Sequence, residues 1–441
     1  METLPSISEA INSIRNGQLR PTELVDHCLL RIRQFEDRVH AWVRVDGEGA
    51  RLEAERLDDL ARQGRFLGPL HGIPIGIKDI VDVQGMPTEA GSPLLKGNLA
   101  ERDAPAVARL RECGAIILGK TVTTEFACFD PPSTRNPWNL NHTPGGSSSG
   151  SAAAVSLEMC MAAIGSQTGG SITRPASFCG VTGLKPSFGR VDLTGVVPIS
   201  RRLDHLGPIA RSAGDLAVML AALAPSEKPT APSPPVSASP TLHIIEDCFF
   251  EQADDDVRQA TRFACDKLHS AGAELRRMPL PASFGQVHAM HRCVMVVDAA
   301  ATHFDRFAQH ADAYGPNIRS LIEEGLSTLA IDYTLALQHY EQHRREMEAA
   351  FRDDVIALTP ATVTPAPAGL DSTGDPAFNS PWSYSGLPTV VIPCGLAANG
   401  MPCGLQLIGP RDGELQLLSA AAWCEVALEF EATPSILQAE R

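Results

Sequence analysis

The alternation of apolar and polar positions divides the chain into a helical beginning and a mixed region that follows. The segment SISEAINSIRNG places Ser6 and Glu9 at the spacing of a capping box and ends at Gly17. The next segment begins with Pro21 and repeats apolar residues at helical spacing, and a third helix is predicted from Gly49 to Gln63. The pattern therefore predicts that the first 65 residues are mainly helical.

Short apolar runs separated by Gly and Pro replace this pattern in the next part of the chain. LHGIPIGIKDIVDV and GAIILGKT are typical of strands, and DAPAVARLRECG between them is typical of a helix. The segment SAAAVSLEMCMAAIG, residues 151–165, is predicted to form another helix. Strands that alternate with helices predict an α/β fold, with a sheet whose faces are covered.

The second half of the chain contains a segment rich in Pro and Ser, residues 224–240, which is typical of a surface linker. A strand and a helix are predicted after it, residues 286–352 are predicted to be mostly helical, and LPTVVIPCG is a further strand-like run. The pattern alone leaves open whether the linker divides two domains or interrupts one.

Composition and charge narrow the classes of function. The 441 residues are 44% hydrophobic and 20% charged, as in ordinary globular proteins, and the formal net charge is −15. An acidic surface disfavours direct binding to nucleic acid or to an anionic membrane. The N-terminus lacks the pattern of a signal peptide, and the eleven cysteines are scattered without zinc-ligand spacing. We expect a cytoplasmic protein with free thiols and no bound metal.

Lys78 is a charge inside an otherwise apolar run. The structural interpretation is a strand end with the ammonium in water. The functional interpretation is a partly buried lysine whose neutral form acts as a base, because burial lowers the pKa of a lysine. Asp79 beside it is expected to work in the opposite direction, by stabilising the charged form.

Two loops rich in Gly and Ser are further candidates. Residues 146–150 match the G-x-S-x-G pattern of a nucleophile elbow, but the segment before them is a poor strand, so a flexible linker or a helix cap is the default interpretation of this match alone. In the second loop, Gly169 and Gly170 precede Ser171, which suits an oxyanion hole with its nucleophile but equally suits a tight turn.

Taken together and in order, the motifs GIPIGIKD, PGGSSSGSAAA and GSQTGGSITRPASFCGVTGLKPSFGR resemble the amidase signature family. Lys78, Ser147 and Ser171 fall where that family places its Ser–cisSer–Lys triad, and Ser171 follows Ser147 by 24 positions, as the family pattern requires. The resemblance is densest over about residues 67–211 and resumes near ALTPATVTPAP and DPAFNSPWSYSGLPTVVIPCG. It implies a single amidase domain over residues 1–441, with a large mixed sheet between helices, a linker at 224–240 and a helical insertion at about 286–352.

The resemblance also implies the roles of the site residues. Ser171 is the expected nucleophile, Ser147 and Lys78 relay protons, and the backbone N–H groups of residues 168–171 (Thr168, Gly169, Gly170, Ser171) form the oxyanion hole. Three residues of the late loops are expected to contact substrate because the family's C-terminal loops cover the site: Asp375, Asn379 and Trp382.

One departure from the family pattern concerns the support of this loop. Many members have Asp where this chain has Gln167, and their arginine follows the serine by two residues, whereas Arg174 follows Ser171 by three. We therefore expect a neutral hydrogen bond from Gln167 to replace an Asp–Arg pair.

The implied function is hydrolysis of the C–N bond of small to medium amides, with esters, anilides and carbamates as further candidates and no cofactor. The alternative is the glutamine-hydrolysing A subunit of an aminoacyl-tRNA amidotransferase, which would have the same triad. Gln167 and the position of Arg174 depart from the usual pattern of that subunit and favour a stand-alone amidase, and the segment GLDSTGDPAFNSPWSYSGLPTVVIPCG resembles bacterial free-standing amidases. A ligand-binding relative without activity is a third interpretation, disfavoured by the intact triad. The expected partner is a small-molecule amide, and dimers are common among similar enzymes.

Overall fold

The fold is built around one mixed sheet of eleven strands. The computed structural model describes residues 3–224, 239–352 and 355–438 of the chain. The strands, in chain order, are β1 Trp42–Val45, β2 Pro74–Lys78, β3 Ile116–Thr121, β4 Ala162–Gln167, β5 Thr182–Lys185, β6 His205–Ala210, β7 Thr241–Ile244, β8 Glu274–Arg277, β9 Ile356–Pro360, β10 Thr389–Leu396 and β11 Pro402–Ile408. Their order in the sheet is β1-β3-β2-β4-β6-β5-β10-β11-β9-β7-β8.

Parallel and antiparallel pairs both occur in this sheet. β2 is parallel to both β3 and β4, and β7 is parallel to β8 and β9, whereas the remaining neighbours are antiparallel. Every residue of β2, β3, β4, β6 and β9 is buried. Because successive side chains of a strand point to opposite faces, both faces of the sheet are covered there. The predicted α/β fold is confirmed.

Helices surround the sheet. The α-helices are α1 Ile7–Arg15, α2 Pro21–Val39, α3 Gly47–Arg62, α4 Pro105–Glu112, α5 Ser149–Ser156, α6 Thr173–Phe178, α7 Ala213–Leu223, α8 Phe249–Gln252, α9 Asp255–Ser270, α10 Val287–His310, α11 Pro316–Ser327, α12 Ala330–Ala350, α13 Ser380–Ser385, α14 Glu414–Leu428 and α15 Ser435–Gln438. Short 3₁₀ turns occur at Pro93–Leu95, Glu125–Ala127, Ala282–Gln286 and Ala311–Ala313.

The N-terminal helices form where the sequence predicts them. The capping box of Ser6 and Glu9 is present, and Pro21 is the first residue of α2. α3 runs from Gly47 to Arg62, within two residues of the predicted bounds, because the Asp46 side chain caps it by accepting from the Gly49 N–H.

The helix predicted over residues 151–165 is wrong in its second half. α5 ends at Ser156, and the chain continues as β4 from Ala162 to Gln167. β4 lies between β2 and β6 in the sheet, so its backbone groups pair with two strands instead of within a helix. Tertiary pairing outweighs the helix propensity of the alanines.

Two predicted segments outside the sheet are the linker and the helical region that follows it. The predicted linker 224–240 falls mostly on residues 225–238, which lie outside the described residues. Residues 287–350 contain the three helices α10, α11 and α12. In the described part of the chain, no helix has the length and apolar character required to cross a membrane.

Candidate active site

Two neighbouring parallel strands bring the candidate residues to one edge of the sheet. Lys78 is the last residue of β2, and Gln167 is the last residue of β4. Because β2 and β4 run in parallel and are paired, their carboxyl ends meet at the same edge. The loop of residues 168–172, which contains Ser171, leaves β4 at this edge and leads into α6.

Lys78 lies in the interior, with its side chain fully buried. Its Nζ is 2.6 Å from Ser147 Oγ and 2.8 Å from Ser166 Oγ. Burial lowers the pKa of Lys78 well below its ordinary value, because the charged form is taken out of water while only neutral hydroxyls contact it. The arrangement favours a neutral amine that can accept a proton from Ser147.

The acidic residue that acts on Lys78 is Asp204, and not the neighbouring Asp79. Asp79 forms a buried ion pair with Lys120 at 3.0 Å, which corrects the expectation drawn from the sequence. The negative charge of Asp204 partly opposes the effect of burial on the pKa of Lys78. Burial also raises the pKa of Asp204 itself to about 6, although Thr168 Oγ1 and two backbone N–H groups donate to its carboxylate.

The segment that carries Ser147 is held by backbone contacts on both sides. The peptide bond between Gly146 and Ser147 is cis. The Thr124 N–H donates to the Ser147 carbonyl at 3.3 Å, and Arg174 Nη2 donates to the Gly146 carbonyl at 2.8 Å. The Ser148 N–H donates to the Ser171 carbonyl at 3.2 Å, so the segments of the two serines are joined directly.

The carbonyl groups of residues 168–171 in the Ser171 loop all accept hydrogen bonds from protein donors. His291 Nε2 donates to the Thr168 carbonyl at 2.9 Å, and Ser383 Oγ donates to the Gly169 carbonyl at 2.8 Å. The Gly170 carbonyl accepts from the N–H of residue 174 at 2.9 Å. By contrast, the N–H groups of residues 169–171 donate to no protein acceptor among the described residues. Backbone N–H groups without a protein acceptor are the kind of donor that an oxyanion hole uses.

Gln167 supports the same loop, as expected from the departure at this position. Its Oε1 accepts from the N–H groups of Ile172 and Thr173 at 2.9 and 3.0 Å. Its Nε2 donates to Ser383 Oγ at 3.2 Å, and Ser383 in turn holds the Gly169 carbonyl. A neutral side chain therefore braces both the start of α6 and the loop before it.

A cavity of about 240 Å³ opens in front of this loop. Ser147, Ser171 and the two glycines of the loop line it. Arg174 and the late-loop residues Thr373, Asp375 and Ser380 also line it. The side of the cavity away from the sheet is formed by four residues of α10 at helical spacing: His288, His291, Arg292 and Met295.

Of the three residues that the resemblance implied as substrate contacts, only Asp375 lines this cavity. Asn379 is fully buried behind the loop, where its Nδ2 donates to the Ala361 carbonyl at 2.8 Å and to Gln406 Oε1 at 3.1 Å. Trp382 is also fully buried, stacks on Phe249 and donates from Nε1 to the Phe378 carbonyl. The expectation for Asn379 and Trp382 is therefore corrected: they belong to the packing that supports the site.

Gly170 is needed because of this packing. A Cβ at position 170 would lie 2.7 Å from Asn379 Oδ1 and 3.0 Å from Asn379 Cβ, which is closer than real contacts allow. A Cβ at Gly169 would instead meet Pro376 at 3.7 Å, an ordinary contact. Position 170 therefore has no room for a side chain, whereas position 169 has room for a Cβ.

Three contributors to the site were not predicted from the sequence: Ser166, Asp204 and His291. Ser166 is on β4, just before the loop, and its register beside β2 places it against Lys78. Asp204 immediately precedes β6, the antiparallel neighbour of β4. His291 is distant in sequence and gave no local signal. Among residues 3–224, 239–352 and 355–438, no group of three or more His, Cys, Asp or Glu side chains is placed to hold a metal ion.

Comparison with known proteins agrees with the site. A family model described as Amidase matches residues 23–418, which is most of the chain. The chain therefore belongs to the amidase family.

Individual relatives and solved structures cover nearly the whole chain. It is 35% identical over 463 residues to the A subunit of the glutamyl-tRNA(Gln) amidotransferase of Roseiflexus sp. (strain RS-1), covering 94% of each protein. A crystal structure of an amidase matches with a TM-score of 0.87 and 34% identity, over 96% of this chain and 100% of the other. The native peptide amidase from Stenotrophomonas maltophilia matches with a TM-score of 0.83 and 27% identity, over 97% and 98% of the two chains.

The family and its solved members define the general class of reaction. The protein is an enzyme that hydrolyses carbon–nitrogen bonds of amides other than peptide bonds.

Proposed function

We propose that the chain is a stand-alone amidase that hydrolyses small to medium amides through an acyl-enzyme on Ser171. The observation that carries this proposal is the contact of 2.6 Å between the buried Lys78 Nζ and Ser147 Oγ, at the wall of the cavity that Ser171 also lines. Serine is a weak nucleophile until a base removes its proton, and burial supplies that base by favouring neutral lysine.

The proposed proton relay starts from the contact of Lys78 with Ser147, and Ser147 and Ser171 both line the cavity. The Ser171 hydroxyl gives its proton to Ser147 Oγ while Ser147 gives its own proton to Lys78 Nζ. Ser171 Oγ forms a bond to the carbonyl carbon, and the carbonyl oxygen becomes an oxyanion. When the intermediate collapses, the C–N bond breaks, Ser147 protonates the leaving amine, and the lysine returns its proton to Ser147. Water then hydrolyses the acyl-enzyme by the same relay.

The oxyanion is expected to accept hydrogen bonds from the loop N–H groups, for which Thr168, Gly169, Gly170 and Ser171 are the candidates. Their carbonyls are already bound to other donors, which fixes the loop before substrate arrives. Removing one donor of this kind typically costs about 3 to 4 kcal/mol of transition-state stabilisation. Lys78 Nζ donates to Ser166 Oγ at 2.8 Å, and this contact keeps Nζ beside Ser147.

A second function is the glutamine-hydrolysing subunit of an aminoacyl-tRNA amidotransferase. The specific observation in its favour is the likeness to the Roseiflexus amidotransferase protein over 94% of both chains. We favour the stand-alone amidase because Gln167 braces the loop through a neutral hydrogen-bond network, in place of an Asp–Arg pair.

The remaining parts of the proposal concern organisation and surroundings. We propose that residues 1–441 form one amidase domain, with residues 286–352 as a helical insertion whose first helix closes one side of the cavity. A small-molecule amide is the proposed substrate, the chain is proposed to act in the cytoplasm, and a homodimer is compatible with the proposal. The net charge of −15 disfavours direct contact with nucleic acid or anionic lipid.

The test uses the purified chain with Ser171→Ala as its control. Release of amine or ammonia is followed from aliphatic amides, an anilide, a carbamate, an ester and glutamine. Turnover of a substrate other than glutamine that is lost in Ser171→Ala is the expected result. Slow release confined to glutamine would favour the amidotransferase function instead, and turnover that survives Ser171→Ala would contradict the proposed nucleophile.

A further inference from the structure

Arg174 is a buried cation on the wall of the proposed substrate cavity, and its charge has no anionic partner among the described residues. The residue is 2% exposed. Its Nη2 donates to two neutral oxygens, the Gly146 carbonyl at 2.8 Å and Thr373 Oγ1 at 3.2 Å. Its Nε and Nη1 have no hydrogen-bond partner among the described residues. Three of the five N–H groups of this guanidinium are therefore unused.

The nearest acidic residue does not neutralise this charge by contact. Asp375 favours the charged form of Arg174 through space, but no ion pair within 4.0 Å joins the two side chains in the described structure. The Asp375 side chain is exposed and accepts instead from the Ala377 N–H at 2.8 Å. Burial lowers the pKa of Arg174 only to about 10, so the guanidinium stays charged at neutral pH.

Arg292 shows what a satisfied arginine in the same cavity looks like. It also lines the cavity, but its side chain is 51% exposed and its Nε donates to Glu324 Oε1 at 2.9 Å. Water and a carboxylate thus compensate Arg292, whereas Arg174 has neither. A buried charge without a partner is costly, and buried polar groups are almost always satisfied when the molecule is in its working state.

We propose that Arg174 binds a carboxylate of the substrate, so that the enzyme acts on amides that carry a carboxylate a few bonds from the scissile C–N bond. Guanidinium is the side chain best suited to this group, because its fixed donors match the geometry of a carboxylate. Arg174 lines the same cavity as Ser171, and its Nη2 donates to the carbonyl of Gly146, the residue before Ser147, so the charge lies close to the two serines of the site. This proximity limits the linker between the two substrate groups to a short one.

This inference rests on the proposed amidase function and names its substrate class. The carboxylate can lie on the acyl side or on the leaving-amine side of the amide. Succinamate places it on the acyl side, N-acetylglycine places it on the leaving side, and butyramide is a neutral match for succinamate. The cavity volume of about 240 Å³ is slightly below the range found for most small-ligand sites, which suits compounds of this size.

The test compares kcat and KM for these three substrates in the wild-type protein, Arg174→Gln and Arg174→Lys. We expect one carboxylate substrate to be preferred, and Arg174→Gln to raise its KM by about 10- to 100-fold, in line with the loss of a charge-assisted hydrogen bond. Arg174→Lys keeps the charge and is expected to retain part of the preference. The matched control Arg292→Gln removes a paired arginine and is expected to change the preference less.

Two results would overturn the inference and leave the amidase function intact. One is a wild-type enzyme that hydrolyses butyramide as well as either carboxylate substrate. The other is an Arg174→Gln variant that loses activity on neutral and carboxylate substrates by the same factor, because that would identify Arg174 as a brace for the Gly146 carbonyl alone.

Binding measured without turnover separates this inference from the proposed function. Calorimetry of succinate and of N-acetylglycine with Ser171→Ala, and with Ser171→Ala carrying Arg174→Gln, is expected to show heat of binding only in the first protein. If that result holds but no amide is hydrolysed by the wild type, the amidase proposal fails and the carboxylate site stands. If neither compound binds while butyramide is turned over, the carboxylate site fails and the amidase proposal stands.

Discussion

The two walls of the cavity are built in opposite ways. On the sheet side, strands β2 and β4 and a loop buried against them hold Lys78, Ser147 and Ser166. The lysine Nζ is 2.6 Å from Ser147 Oγ and 2.8 Å from Ser166 Oγ. On the other side, α10 and the late loop contribute Arg292 and Asp375, which reach solvent. Under the proposed mechanism, proton transfer depends on groups at the sheet edge, while the outer wall is free to vary with the substrate.

His291 connects the two walls. It belongs to α10, yet its Nε2 donates to the Thr168 carbonyl in the loop that leaves the sheet. Burial lowers the pKa of His291 to about 4, so the ring is neutral at ordinary pH, and its single N–H is the one on Nε2. The outer wall therefore contributes one hydrogen bond to the Ser171 loop in addition to shaping the cavity.

The largest expected effect comes from removing the base on the sheet side. Lys78→Met keeps the length of the side chain and is expected to lower kcat/KM by at least about 10³-fold, because no other base among the described residues contacts Ser147. Urea unfolding should show that the variant is as stable as the wild type, because the replaced amine is buried and favours the neutral form. Activity within tenfold of the wild type would exclude the relay.

A pair of glycine variants tests how tightly the Ser171 loop is held. Gly170→Ala places a Cβ 2.7 Å from Asn379 Oδ1, so the loop must shift, and we expect kcat to fall on the order of 10²-fold. Gly169→Ala meets only ordinary contacts, and its kcat is expected to change by less than about threefold. Equal effects of the two substitutions would contradict this description of the loop.

Breaking the link between the walls is expected to have a smaller effect. His291→Phe leaves the buried Thr168 carbonyl without its donor, and we expect kcat to fall on the order of 10-fold with little change in KM. His291→Gln keeps a donor and should restore most of kcat. A fall in KM and kcat that is identical in both variants would indicate a packing role instead.

The smallest expected change is a shift of pH dependence. In the proposed relay activity requires neutral Lys78, so kcat/KM is expected to be fully present above the pKa of this lysine and to be lost as pH falls through it. The Asp204 charge raises that pKa, and Asp204→Asn should therefore move the acid limb to lower pH. The midpoint of the limb is the quantity to compare, because the substitution also alters hydrogen bonds to Thr168 and lowers the height of the profile. Movement of this midpoint to higher pH would contradict the expected direction of the shift.

Local patterns in the sequence predicted the elements whose signals are themselves local. The capping box of α1 and Pro21 at the start of α2 act over a few residues, and the structure has both. β4 was not predicted, because Ala162 and its neighbours have helix propensity and only their pairing with β2 and β6 makes them a strand.

The candidate site divides in the same way. Lys78, Ser147 and Ser171 are found in motifs with fixed spacing, whereas Asp204 and His291 act through contacts across the sheet and from a distant helix. Arg174 was noticed only as a departure in spacing, and its lack of a charged partner is visible only in three dimensions. Trp382 packs against Phe249 instead of lining the cavity, and sequence alone does not separate these roles, because aromatic residues in loops occur both in packing and in binding sites.

The unpaired N–H groups of the Ser171 loop have a consequence for hydrogen exchange. The amides of Gly169, Gly170 and Ser171 lack acceptors among the described residues, although they lie at the edge of a hydrogen-bonded sheet, and they face a cavity that admits water. Their deuterium uptake should be fast within a slowly exchanging core, and it should slow when an inhibitor occupies the site. These three amides would then report occupancy of the enzyme directly, without any turnover being measured.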